Sequence, residues 1–267
     1  MLCLVISLVS TALFAQSTES VGQPNLVSVR TAHWMGYTEP DFSGFYFDVL
    51  RLVYTKPEFG LELKIVSFPA SLKMLEGGGA DIALGVYHTE VSKAYLSALP
   101  VEREVLVAAM TAERGASWKG TESLENLRVG SVVGYAFEGR LPVSAHYREF
   151  ESIDLMLRML QVGRLDVILD YRPDIEHYAK KMDLSFVIKG DLPQSAIYFA
   201  FRKDARGLAL KKHFDLRFKA LLESGKIWEL LLNALGDEDA REAFPFICNN
   251  GKCSSTPGLL EHGLKSN

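Results

Sequence analysis

Two short passages carry side chains suited to gripping a small molecule. Ala32-His33-Trp34-Met35-Gly36-Tyr37 follows the alternating run Val27-Ser-Val-Arg-Thr and gathers an imidazole, an indole and a phenol on what reads as a loop after a strand. Val86-Tyr87-His88 follows Asp81-Ile-Ala-Leu, a buried-strand pattern that stops at Gly85. Loops leaving the carboxyl ends of parallel strands surround the ligand crevice of an open sheet, so both passages fall where a solute binds. Their chemistry is stacking and hydrogen bonding. The alternative is that Trp34 and Tyr37 pack beneath a neighbouring helix, as such rings often do. His33 and His88 are also conceivable metal ligands. Two isolated histidines more often serve as hydrogen-bonding loop residues, and His146, His177, His213 and His262 show no paired spacing, so no metal and no cofactor is expected.

Other chemistries find less support. Gly134-Tyr-Ala-Phe-Glu-Gly superficially matches a phosphate loop, but Arg140 and Leu141 stand where a Lys and a Ser or Thr would reach phosphate and magnesium. The 267 residues carry a formal charge of -4 without a basic run, which argues against a nucleic-acid partner. With 48% hydrophobic and 23% charged residues, the chain has the composition of a globular protein with a good core.

The elements that must position these loops are set by local pattern. Pro69 suits a first helical turn, Leu72 and Leu75 have helical spacing, and Gly77, Gly78 and Gly79 end the helix before the Asp81 strand. A helix from Gly44 to about Lys56 stops at Pro57, and Leu61 to Val66 alternates as a strand. Glu102 to Met110 is the next strand, and Thr111 to Glu122 has the polar, Gly-containing character of a domain boundary. A second α/β unit then repeats the plan: strand Leu127 to Val133, a turn at Gly134 into a helix, a Ser152-capped helix to Val162, the stop Gly163, and strand Leu165 to Leu169. Ser195 to Phe201 reads as a strand, Leu208 to Leu222 and Ile227 to Leu235 as helices, and the segment from Gly236 as a loose tail.

Residues 1–15 read as a cleaved signal peptide, since Leu2 to Phe14 is an uncharged apolar run too short to span a bilayer as a helix. The expected location is therefore periplasmic and soluble. Cys3 would leave with that segment. Cys248 and Cys253 bracket the turn-forming Asn249-Asn-Gly-Lys and could close a small disulfide loop, the alternative being two free thiols on a frayed tail.

The order of Gly44-Phe-x-x-Asp48-Val, Phe68 with Leu72, Leu75, Gly78 and Asp81, Gly163-Arg-Leu-Asp166 with Pro173, and Ser224-Gly-Lys-Ile-Trp228 resembles the family 3 periplasmic solute-binding proteins, over roughly Leu26 to Leu235. These are the extracytoplasmic components of amino-acid-type ABC importers. The resemblance implies an α/β, two-lobed type II periplasmic-binding-protein fold with two crossing hinge strands. Lobe one would hold residues 26–110 and 195–235, lobe two residues 111–194, with 236–267 a C-terminal tail.

The ligand would be a small molecule bound between the lobes by His33, Trp34, Tyr37, Phe68, Gly85, Tyr87 and His88 on one side. Gly134, Tyr135, Ala136, Phe137, Asp170, Tyr171 and Arg172 would face them, with backbone amides at Gly134 to Phe137 holding an anionic group at a helix N-terminus. The implied partner is an inner-membrane ABC permease, or a membrane sensor in a signalling role, and the chain would be a monomer. The departures from the family pattern are informative. His88 and Val91 stand where amino-acid binders carry the Thr and Arg of a carboxylate clamp, and Tyr171 stands where they carry the amine-binding Asp, with Asp170 one place early. A plain α-amino acid is therefore not the expected ligand. The same fold hosts dehydratases, for which Asp170, Glu90 and His88 would be the candidate acids.

Overall fold

The computed structural model describes residues 25–104, 106–135, 137–190, 192, 195–249 and 252–255. The expected signal peptide and Ala136 lie outside them, as does the side chain of Cys248. The first lobe begins with β1 (Asn25–Thr31), α1 (Phe45–Val53), β2 (Phe59–Ile65), α2 (Phe68–Glu76), β3 (Ile82–Val86) and β4 (Ala94–Leu96). The chain then crosses through β5 (Glu102–Arg103) into β6 (Leu106–Met110), α3 (Ala112–Ala116), β7 (Arg128–Val132), β8 (His146–Phe150), α4 (Ile153–Gln161), β9 (Val167–Tyr171), α5 (Arg172–Lys181) and β10 (Val187–Lys189). It returns along β11 (Ala196–Arg202) to α6 (Ala205–Glu223), α7 (Lys226–Leu235), α8 (Asp237–Ala243) and the hairpin β12 (Phe246–Asn249) and β13 (Lys252–Ser255).

Two sheets result. The first has the order β2-β1-β3-β11-β4, and the second β10-β6-β9-β7-β8. β1 runs parallel to β2 and β3, β7 runs parallel to β8 and β9, and the strands that carry the crossings, β11 and β6, are antiparallel to their neighbours. The crossings pair with each other: Glu102 lies opposite Ile197 and Arg103 opposite Ala196, and the Glu104 amide donates to Ser195 at 2.8 Å. β6 belongs to the second sheet, so lobe two begins near residue 106 rather than 111. The sequence does mark that break, with the charged Glu102-Arg103-Glu104 ahead of the apolar run 105–110.

The repeated plan has a physical counterpart in Asp81 and Asp166. Asp81 donates its amide to the Ser28 carbonyl and accepts the Ser28 amide on Oδ2, both at 2.9 Å, and Asp166 does the same with Arg128 at 2.9 Å in each direction. Each thereby ties the approach to one parallel strand to its neighbour, Asp81 before β3 to β1 and Asp166 before β9 to β7. Arginine completes each tie: Arg206 Nε reaches Asp81 at 2.7 Å and Arg128 Nε reaches Asp166 at 2.8 Å. The Arg128 hydrogen bonds bring the Asp166 carboxyl down to about 2.

The segment after Gly236 is not a loose tail as far as it is described. Ala240, Ala243 and Phe246 are buried in the lobe-one core, the first two at helical i, i+3 spacing that the surrounding charges mask. Cys253 is disulfide-bonded, and Cys248 lies directly opposite it in the β12–β13 hairpin. Among the described residues no helix is long and apolar enough to cross a membrane.

Candidate functional site

The lobes meet along a seam of aromatic side chains. Trp34 follows β1 in a tight turn, where the Tyr37 and Thr38 amides both donate to its carbonyl and the Thr38 hydroxyl accepts its amide at 2.9 Å. Its ring lies over Gly85, where a Cβ would sit 2.8 Å from the indole and where φ is +69°, so only glycine fits that place on β3. From lobe two, the Tyr135 hydroxyl accepts the Trp34 Nε1–H at 2.8 Å, and the Tyr171 hydroxyl pairs with that of Tyr87 at 2.9 Å. Phe68 completes the seam, its centroid 5.6 Å from Trp34 and 6.4 Å from Tyr135. Gly134 packs against Pro69 so closely that a Cβ would fall 2.5 Å from the proline ring.

Behind the seam is a cavity of about 20 Å³ lined by Trp34, Met35, Tyr37, Tyr46, Gly85, Glu102, Tyr171, Pro173, Asp174 and Ile197. Its electrostatics are unusual because its ionisable walls are acids and phenols. Glu102, on the hinge strand β5, accepts a hydrogen bond from the Tyr46 hydroxyl on Oε1, while Oε2 has no donor at full hydrogen-bond geometry. Burial pushes its carboxyl up to about 8. Asp174, in the first turn of α5, is likewise raised by burial to about 6, with the His33 ring and the Met35 amide opposing the rise. Glu104, two residues on from Glu102, is buried too and accepts a hydrogen bond from the Tyr87 hydroxyl.

Several residues expected at the site lie elsewhere. His88 is exposed and lines a separate surface groove with Val91, Tyr95 and Lys211. His33 sits at the rim, its Nε2 at 3.2 Å from Glu39. Among the described residues no group of three or more His, Cys, Asp or Glu is placed to hold a metal ion. Among the described residues of Gly134 to Phe137 no amide is left for an anion: that of Gly134 donates to Glu149, that of Tyr135 to the Val132 carbonyl and that of Phe137 to the Tyr147 hydroxyl. The chain continues there into a single 3-10 turn, Phe137–Arg140, too short to build a helix dipole. Phe137 itself is buried 5.4 Å from Tyr135, as part of the lobe-two core. Arg172 turns to α8, 3.6 Å from Asp239 and 3.8 Å from Glu242. Asp170 is buried on the face of β9 opposite to Tyr171, as strand alternation requires; its Oδ1 accepts the Tyr171 amide, and burial raises its pKa well above the carboxylate range.

Solved structures resemble this arrangement closely in shape. The GluR0 ligand-binding core in complex with L-glutamate matches with a TM-score of 0.70 at 17% identity, over 80% of this chain and all 100% of its own. An ABC uptake transporter substrate-binding protein from Streptococcus pneumoniae with bound histidine gives 0.62 at 17% identity, covering 80% of this chain and 93% of that one. This chain has the type II periplasmic-binding-protein fold. The ancestral amino-acid-binding protein AncCDT-1, described as a precursor of cyclohexadienyl dehydratase, shares it with a TM-score of 0.63 at 18% identity, over 78% of this chain and 94% of its own. No protein-family model and no curated protein sequence matches the chain. The likeness to family 3 solute-binding proteins is thus one of fold.

Within that type II fold, Trp34, Tyr37, Gly85 and Tyr171 line the interlobe cavity, and Phe68, Tyr87 and Tyr135 close the seam over it. Sequence reasoning does not reach Tyr46, Glu102 or Asp174. A signal for Glu102 exists: Glu102 and Glu104 are two acids at strand spacing either side of Arg103, just before the apolar run 105–110, which places both on one face.

Proposed function

We propose that this protein binds a small solute in the cavity between its lobes, closes around it by bending at the β5 and β11 crossings, and delivers it to an inner-membrane ABC permease. The observation that carries this reading is the pair of hydrogen bonds across the seam, Trp34 to Tyr135 and Tyr87 to Tyr171, which join residues 101 and 84 positions apart directly over a cavity. Side chains that bridge two lobes at a cavity are in the right place to register what fills it. The fold's likeness to an ABC substrate-binding protein supports the import role. In this reading the protein is exported to the periplasm and acts as a monomeric binder rather than an enzyme. The arrangement also suits a ligand-sensing module for a membrane receptor, a reading favoured by the likeness to the GluR0 ligand-binding core.

A thermal-shift screen against amino acids, polyamines, dipeptides, organic acids and metals tests the binding function. A true ligand at a hundred times its dissociation constant adds about 2.7 kcal/mol, and for a chain of this size that is a rise of roughly 5–10 °C. The expected result is such a rise for one chemical class, with plain α-amino acids giving none. A flat response across every class would count against solute binding.

A further inference from the structure

We infer that the interlobe cavity takes the ammonium head of an amine with no neighbouring carboxylate, with Glu102 and Asp174 as its anionic partners, an inference that rests on the solute-binding reading. Trp34, Tyr37, Tyr46 and Tyr171 wall the cavity, and the two carboxylic acids among its lining residues, Glu102 and Asp174, are 6% and 9% exposed. Oε2 of Glu102 is buried with no donor at full hydrogen-bond geometry, the Tyr37 hydroxyl being a further group that bears on the carboxyl. A buried oxygen without a full partner is costly, and once Glu102 gives up its proton a ligand N–H supplies the donor that Oε2 then needs. The cavity, about 20 Å³, has room for a group the size of an ammonium. The aromatic walls favour a cation over a neutral hydroxyl. No Lys, Arg or His is among the lining residues, and Arg172 is turned to Asp239 and Glu242, so a carboxylate on the same carbon would face acids and phenols.

The proton balance is set by the groups around Glu102. It is faced by Tyr46 from α1, Tyr37 from the turn after β1, Glu104 from its own crossing, and Tyr171 and Asp174 from lobe two, while Asp239 of α8 bears on Tyr37. With its carboxyl pushed up to about 8 by burial, Glu102 is protonated at neutral pH. Arrival of an ammonium converts it to the carboxylate and sends its proton to solvent, so uptake tightens as pH rises toward that value.

Titration calorimetry with putrescine, butanediol and 2,5-diaminoadipate tests this, because the second removes the charges of the first and the third adds a carboxylate beside each of its ammonium groups. The expected result is binding of putrescine roughly tenfold or more tighter than either analogue, with release of about one proton, seen as a dependence of the heat on buffer ionisation. Glu102→Gln should abolish the proton release and weaken putrescine roughly tenfold while leaving butanediol unchanged. Asp174→Asn, whose fold is checked by its melting curve, should also weaken putrescine selectively. Butanediol or 2,5-diaminoadipate binding as well as putrescine, or an unaffected Glu102→Gln variant, would overturn the amine assignment and leave solute binding standing. Failure of all three compounds, together with stabilisation by an acid or a neutral solute in the thermal screen, would overturn the amine assignment alone. Failure of every solute would overturn both.

Discussion

Replacing Trp34 with alanine should destabilise the protein by about 3–5 kcal/mol, the range for deleting a large buried aromatic side chain. Trp34 is only 6% exposed, and its ring has Phe68 at 5.6 Å and Tyr46 at 6.3 Å, with Gly85 beneath it. Truncation leaves a cavity next to a seam that already holds one, and it strips the Tyr135 hydroxyl of its donor. Trp34→Phe separates the two contributions, since it keeps most of the apolar contact and loses the N–H. It should cost about 1 kcal/mol. Urea unfolding of the three proteins, compared by midpoint at constant slope, measures this order. A Trp34→Ala midpoint close to the parent's would mean the ring is not an anchor. Because the same ring lines the cavity, Trp34→Ala should also weaken solute binding by roughly 1–3 kcal/mol.

The second large effect is on pH dependence. Stability should fall as pH rises from about 5 to about 8, and Glu102→Gln should remove part of that fall, with Asp170, also raised by burial, acting in the same direction. Burial raises the Glu102 carboxyl from 4.5 to about 8. Between those values the unfolded chain has lost a proton that the folded chain still holds, so stability declines by about 1.4 kcal/mol per pH unit, on the order of 4 kcal/mol in all. Asp174, raised by burial from 3.8 to about 6, acts in the same direction over its lower window. Asp166 acts in the opposite direction: its Arg128 partner lowers it from 3.8 to about 2, so its contribution is present above 3.8 and is lost only as pH falls toward 2. Unfolding midpoints at half-unit steps of pH for the parent and Glu102→Gln would show the difference as diverging profiles. Parallel profiles would mean that Glu102 titrates normally in the folded protein.

What the sequence reveals and hides depends on the range of the interactions involved. Helix α2, strand β3 and helix α4 are legible because Pro69, the Gly77-Gly78-Gly79 stop and Gly163 mark their ends locally. The aromatic loop at Trp34 and Tyr37 is legible as composition; the rings are buried, as the packing reading expected, and they also line a cavity. The bond from Trp34 to Tyr135 depends on how two lobes meet and leaves no local trace. Helix α5 is hard to read because Arg172-Pro-Asp opens it directly from the end of β9 without a loop, where the Pro looks like a break and is instead a first-turn residue. The described amides of the expected anion site at Gly134 are taken for a related reason, since the competing acceptors Glu149 and Tyr147 come from a strand, β8, that the charged run His146–Phe150 does not announce.

The central claim is that the closed lobes are held together by the side chains that cover the cavity. Spin labels on Leu216→Cys in α6 and Val162→Cys after α4, at positions 72% and 66% exposed, report the distance between the lobes. Electron–electron double resonance on that labelled pair, with and without Tyr135→Phe and Tyr171→Phe, is the direct measurement. The account predicts a single short distance in the parent and a shift of population to longer distances once both hydroxyls are gone. An identical distribution in the two proteins would contradict it.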